Sequence, residues 1–146
     1  MSMIALSAAL LLQTPVKIVK VPLFDFDHKT NAPLGTVPTK LPEGFTDPNP
    51  QSGKLLSKNG SISFSISKSG QPIPTPQRNP EAKKGEVWTT IRLVKWIGWR
   101  NVKGNQEFYK LNWTGYRVNA VLTGKSKTDI AALRKGLGVL CDNLTF

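Results

Sequence analysis

The sequence predicts an α+β fold: an antiparallel β-sheet built as a meander and followed by a C-terminal helix, behind a proline-rich, extended N-terminal half. Three observations carry this. Ser61 to Ser67 alternates strictly, with Ile62, Phe64 and Ile66 on one parity and four serines on the other, the period of a half-buried strand. Residues 86–123 are rich in β-branched and aromatic side chains, broken by Asn/Gly turn chemistry. Ile130, Leu133, Leu137 and Leu140 recur at helical spacing. At 146 residues the chain is one domain, with strands and proline-rich arms in 1–80 and the central strands and helix in 81–146.

Taken in order, Met3 to Leu12 is an apolar run interrupted only by Ser7. It is well short of the ~20 residues of a membrane span. Without a preceding Lys or Arg it reads as a packing element rather than a secretory signal, leaving open whether residues 1–13 are retained. Val16 to Phe26 reads as a strand whose buried face is ill-defined. All eleven prolines lie at or before Pro80. Each fixes φ and removes a ladder donor, which argues against a central strand in 31–50, and both 31–50 and 71–80 read as extended surface arms or long loops. Asn59-Gly60 is a turn before the serine strand.

Beyond Pro80, Glu86 to Trp96 reads as a strand with Val87, Ile91 and Leu93 opposite Trp88, Thr90, Arg92 and Val94. Ile97 to Asn105, with Gly98, Asn101, Gly104 and Asn105, reads as a turn region. Gln106 to Trp113 and Tyr116 to Thr123 supply two more strands around Thr114-Gly115. Thr128 or Asp129 is placed to cap the helix. Gly136 and Gly138 each cost about 1 kcal/mol relative to Ala there, so the helix requires tertiary support, and a close helix–sheet or helix–helix approach would explain such glycines.

The net charge is +11. From Lys83 to Lys127 ten basic residues face only Glu86 and Glu107, and the same span holds all four tryptophans and both tyrosines. Cations attract phosphate without regard to sequence, and aromatic faces stack on unpaired bases. A sheet face carrying Trp88, Arg92, Phe108, Lys110 and Asn112 is therefore a candidate RNA platform. A mid-strand arginine between apolar neighbours needs a carboxylate, phosphate or subunit partner, which singles out Arg92. Against chemistry stand one His and one Cys, the absence of phosphate-loop and dinucleotide glycine patterns, and carboxylates too scattered to build a nucleophile–base site. Asp25, Asp27 and His28 read as a polar turn. No enzyme, cofactor, metal, small-molecule substrate or membrane is expected, and Cys141 reads as a buried small hydrophobe.

The segment Tyr116 to Asn143, preceded by the strand pair at 86–96 and 106–113, resembles the last strands, polar turn and helix of coat proteins of single-stranded RNA bacteriophages. The resemblance covers residues 86–146 and rests on pattern and order. It implies a homodimer joined sheet edge to sheet edge, with each helix laid over the partner. It further implies an icosahedral shell of such dimers in a virion assembled in the bacterial cytoplasm, and an inner sheet face that binds single-stranded genomic RNA. By parity the RNA-facing residues would be Trp88, Thr90 and Arg92, then Phe108, Lys110 and Asn112. On the last strand they would be Tyr116 and Val118 or else Arg117 and Asn119, polarity favouring the second pair. The chain departs from the family in the ~85 residues before the first matched strand, in the short Thr114-Gly115 turn, and in the little chain left after the helix. The rival expectations are a small basic nucleic-acid-binding β-rich module that forms no shell, and a secreted binding protein.

Overall fold

The computed structural model describes residues 15–28 and 30–146; the apolar run Met3 to Leu12 lies outside them. Among the described residues eight strands form one sheet: β1 (Ile18–Asp25), β2 (Gly35–Lys40), β3 (Lys54–Ser57), β4 (Gly60–Lys68), β5 (Thr89–Leu93), β6 (Trp96–Lys103), β7 (Gln106–Trp113) and β8 (Tyr116–Gly124). A 3-10 turn at Lys127–Asp129 leads into helix α1 (Ile130–Asp142). Across the sheet the order is β2-β1-β4-β8-β7-β6-β5, and β3 pairs with the first half of β4.

The strands from β5 to β8 are an antiparallel meander of sequential neighbours. The sheet as a whole is mixed, because β1 runs parallel to the second half of β4. The serine strand behaves as its alternation demands: Ile62, Phe64 and Ile66 are buried in the core, and the serines face the other way. In β1 the buried parity is Val19 and Val21, while Ile18 is exposed.

Two regions not read as strands contain them. The first proline arm holds β2, with Pro38 inside it. A proline is tolerated there because β2 is an edge strand, where a missing donor breaks no inner ladder. The stretch Ile97 to Asn105, read as a turn, is most of β6, and the turns sit at Val94-Lys95 and Gly104-Asn105. Gly98 is a strand residue because β7 passes so close that a side chain would collide with the Lys110 carbonyl. β6 also buries Trp96 and Trp99 completely, on opposite faces of the sheet.

Helix α1 lies on its own sheet. Leu133, Leu137, Leu140 and Cys141 join Val19, Val21, Ile62, Leu111, Val118 and Leu122 in one core. The resemblance implied instead a helix over the partner; here the apolar stripe is covered within the chain. Polar ties reinforce the seat: the Thr39 hydroxyl donates to the Leu140 carbonyl at 2.7 Å and the Trp96 indole to that of Cys141 at 3.2 Å. Arg134 pairs with Glu107 of β7, a carboxylate buried beneath it that also accepts from the Tyr109 hydroxyl. Burial and this carboxylate push the Tyr109 phenol up to about 12. Neither Thr128 nor Asp129 caps the helix through its side chain. The Asp129 carboxylate instead accepts from Asn59 at 2.8 Å and Ser126 at 2.9 Å, tying the helix start to the turn before β4. Gly136 meets the Phe45 ring, and a Cβ there would lie 2.9 Å from it, whereas nothing approaches Gly138 within 4 Å. The close-approach explanation therefore holds for the first glycine only.

Candidate nucleic-acid interface

The sheet face opposite α1 gathers the residues singled out by charge and aromaticity. Strand register sets them in rows. One row runs Thr90, Trp99, Lys110, Asn119, Ser65 across β5, β6, β7, β8 and β4. The next runs Arg92, Ile97, Asn112, Arg117, Ser67, and Phe108 lies in a third row beside Asn101 and Val121. Arg117 and Asn119 thus share the face of Lys110 and Asn112. Val118, from the alternative pair, is buried in the helix-side core.

Sharing a face is not the same as being accessible. Residues 71–88, including the second proline tract, form no strand and cross this face as a strap. The Ile73 amide donates to the Thr114 carbonyl at 2.7 Å, the Trp99 indole to the Pro76 carbonyl at 2.9 Å, and the Asn112 amide to the Thr75 hydroxyl at 3.0 Å. Further along, the Glu81 carboxylate pairs with Arg117 and, at 3.4 Å, with Lys110. Glu86 pairs with Lys103 at 2.8 Å. Arg117 is consequently only 4% exposed and Asn112 equally buried, so neither is presented to a ligand while the strap is down.

The buried mid-strand arginine that needs a partner is Arg117, not Arg92, which the sequence singled out. Arg117 donates to the Asn112 side chain at 2.8 Å and lies against the Phe26 ring. Arg92 meets no such demand, because β5 is an edge strand and the side chain is exposed. Burial raises the Glu81 carboxyl, but the hydrogen bond and charge of Arg117, with Lys110, outweigh it and hold the group below its usual value. The Lys103 ammonium and the Lys83 amide hold Glu86 at about 2.

Beside the strap a groove of about 560 Å³ remains open on this face. Phe108, Lys110 and Asn119 form part of its floor, with Ser63 and Ser65. Trp88, Lys83 and Lys103 stand on the strap side, and Phe24 of β1 on the other. The Lys110 ammonium lies 5.6 Å from the Trp88 ring centroid, and that of Lys103 lies 5.5 Å from Phe108. Aromatic faces for stacking, cations for phosphate and small hydroxyl and amide groups for base edges thus line one trough, together with the Glu81 and Glu86 carboxylates that pair with two of its lysines. Of the eight predicted residues, Trp88, Phe108, Lys110 and Asn119 line this groove. Thr90 and Arg92 sit at the exposed β5 edge, while Asn112 and Arg117 lie under the strap.

Sequence reasoning missed Glu81, Glu86 and Phe24. The two glutamates were visible as isolated acids in a basic stretch; their targets on distant strands were not. At Asp25–His28 the structure has a turn closed by the Asp25 carboxylate, which accepts from the Asp27 and His28 amides. It also meets the His28 imidazole at 2.7 Å. Among the described residues no group of three or more His, Cys, Asp or Glu is arranged to hold a metal ion, and no helix is long and apolar enough to cross a membrane. No family model matches the chain, nor does any curated protein or solved structure.

Proposed function

We propose that this chain is a structural coat subunit that binds single-stranded RNA through the sheet face opposite α1, dimerises, and assembles into an RNA-filled icosahedral shell in a bacterial host. The observation that carries the reading is the open groove, where Trp88 and Phe108 offer stacking surfaces beside Lys83, Lys103 and Lys110, the last two paired with Glu86 and Glu81 of the strap. A second feature suits self-association. Among the described residues β5 has a strand on one side only, and Val87 and Val94 flanking it are 75% and 73% exposed. An open, apolar-flanked edge is a template for pairing with a second copy.

One observation favours a different reading, a basic nucleic-acid-binding module that builds no shell. Because α1 covers its own sheet, the chain completes its core without borrowing a helix. One experiment separates the two: size-exclusion chromatography with absorbance at 260 and 280 nm, followed by electron microscopy of the leading peak. Uniform shells holding nuclease-protected RNA establish the coat reading. An RNA-binding monomer or dimer without particles establishes the module, and a small species that retains no RNA refutes both.

A further inference from the structure

We propose that residues 71–88 are a displaceable strap whose two glutamates occupy, in the free chain, the places that phosphates of single-stranded RNA take when it binds. This deepens the RNA-binding reading and rests on it. Three observations support it. First, the strap's carboxylates are paired with the sheet, whereas its cations are exposed. Glu81 and Glu86 point at Arg117, Lys110 and Lys103, while Arg78, Lys83 and Lys84 are exposed. The exposed cations attract a polyanion to the strap while the paired carboxylates hold the sheet's cations in reserve.

Second, the contacts are of a kind that RNA can replace. A guanidinium such as that of Arg117 binds carboxylate and phosphate with the same fork of donors, so a phosphodiester oxygen substitutes for Glu81 without leaving the cation unpaired. The remaining anchors are three hydrogen bonds, at Ile73, Thr75 and Pro76, and the burial of Ile73 and of the Trp99 ring, an aromatic face that a stacked base can cover in the strap's place.

Third, the closed strap leaves donors unsatisfied. The Asn79 side-chain amide of the strap is buried without a hydrogen-bond partner among the described residues. So is that of Asn101, which lies on β6 between Trp99 and Lys103, the strap's attachment points. Lifting the strap exposes both donors to water and offsets part of the loss of the ion pairs. Arg117 and Asn112, buried when the strap is closed, then join Lys110 and Asn119 on one continuous surface.

The test compares the full chain with Glu81→Gln and Glu86→Gln, using a short single-stranded oligoadenylate as the probe. Exposed Glu43, in the loop after β2, provides a Glu43→Gln control for the general effect of removing one negative charge. Glu86→Gln leaves the Arg117–Glu81 pair intact and keeps the proposal testable if Glu81→Gln misfolds. Freeing the strap raises the competent fraction, so affinity is expected to rise by about tenfold or more over the control. The amide of Ile73 and the indole N–H of Trp99 are expected to exchange faster with solvent when the oligonucleotide is bound. Binding that leaves both protons protected, or glutamine variants no tighter than Glu43→Gln, overturns the strap and leaves the open groove as the RNA site. No binding by any variant overturns the RNA reading itself.

Discussion

Gly136 and Gly138 lie two residues apart in one helix, yet alanine is expected to act oppositely at them. Replacing an interior helical glycine by alanine gains about 1 kcal/mol by restricting the unfolded backbone and adding helix propensity. At Gly138 nothing lies within 4 Å of the added Cβ, so the full gain of about 1 kcal/mol is expected. At Gly136 the Cβ arrives 2.9 and 3.0 Å from two atoms of the Phe45 ring and 3.1 Å from Ile62 Cδ1. Overpacking of this kind costs about 1–3 kcal/mol, which cancels or reverses the gain. The two variants should therefore differ by about 1–3 kcal/mol in urea unfolding at unchanged m-value. A Phe45→Leu background removes the outer ring atoms, so there Gly136→Ala should approach the behaviour of Gly138→Ala, a coupling of about 1 kcal/mol or more. Equal stabilisation by both alanines in the natural background would refute the claim that Phe45 is pressed against this turn of the helix.

Further outcomes follow from the polar contacts. Glu86 is depressed to about 2 in the folded chain. Its contribution to the strap is complete above the ordinary carboxylate range near 4.5 and is lost as pH falls toward 2. An acid titration of Trp88 fluorescence and of the Glu86 carboxyl resonance should show that midpoint, and an ordinary value near 4.5 would remove the Lys103 contact. Arg134→Ala strips the cation from the buried Glu107 carboxylate and should cost about 2 kcal/mol. This is below the loss for a fully buried pair, because Arg134 is half-exposed; unchanged denaturant stability would contradict it. Burial pushes the Cys141 thiol well above its usual range. A thiol reagent should therefore modify it only at the rate of unfolding, and rapid labelling of the native chain would place it at the surface. Lys110→Ala removes a cation of the groove floor and should weaken RNA retention while the oligomeric state is unchanged, as read by the 260/280 ratio of the eluting peak.

What was legible in the residues is what has a local cause. Period-two alternation in 61–67 set the strand and its buried face, because a pleated backbone turns successive side chains to opposite sides whatever lies beyond. The meander of Gln106–Trp113 and Tyr116–Gly124 and the stripe from Ile130 to Leu140 were readable on the same ground. Parity likewise grouped Thr90 with Arg92 and Phe108 with Lys110 and Asn112, while on the last strand it left two pairs open and polarity chose Arg117 and Asn119.

What was not legible depends on distant partners. Local composition makes Gly98 a turn residue, and only the neighbouring Lys110 backbone makes it a strand residue. Pro38 argues against a strand until the fold places β2 at an edge. The parallel pairing of β1 with β4 joins segments separated by the whole proline-rich arm, and no short-range pattern encodes that choice. The same holds at the site. The sequence by itself determined that the face opposite the helix is basic and aromatic. Tertiary structure decided which of those cations remain open: it carried Glu81 over 36 residues to Arg117 and Glu86 over 17 residues to Lys103. An ion pair is formed by proximity in space, and a chain that folds back on itself sets that proximity independently of spacing along the sequence.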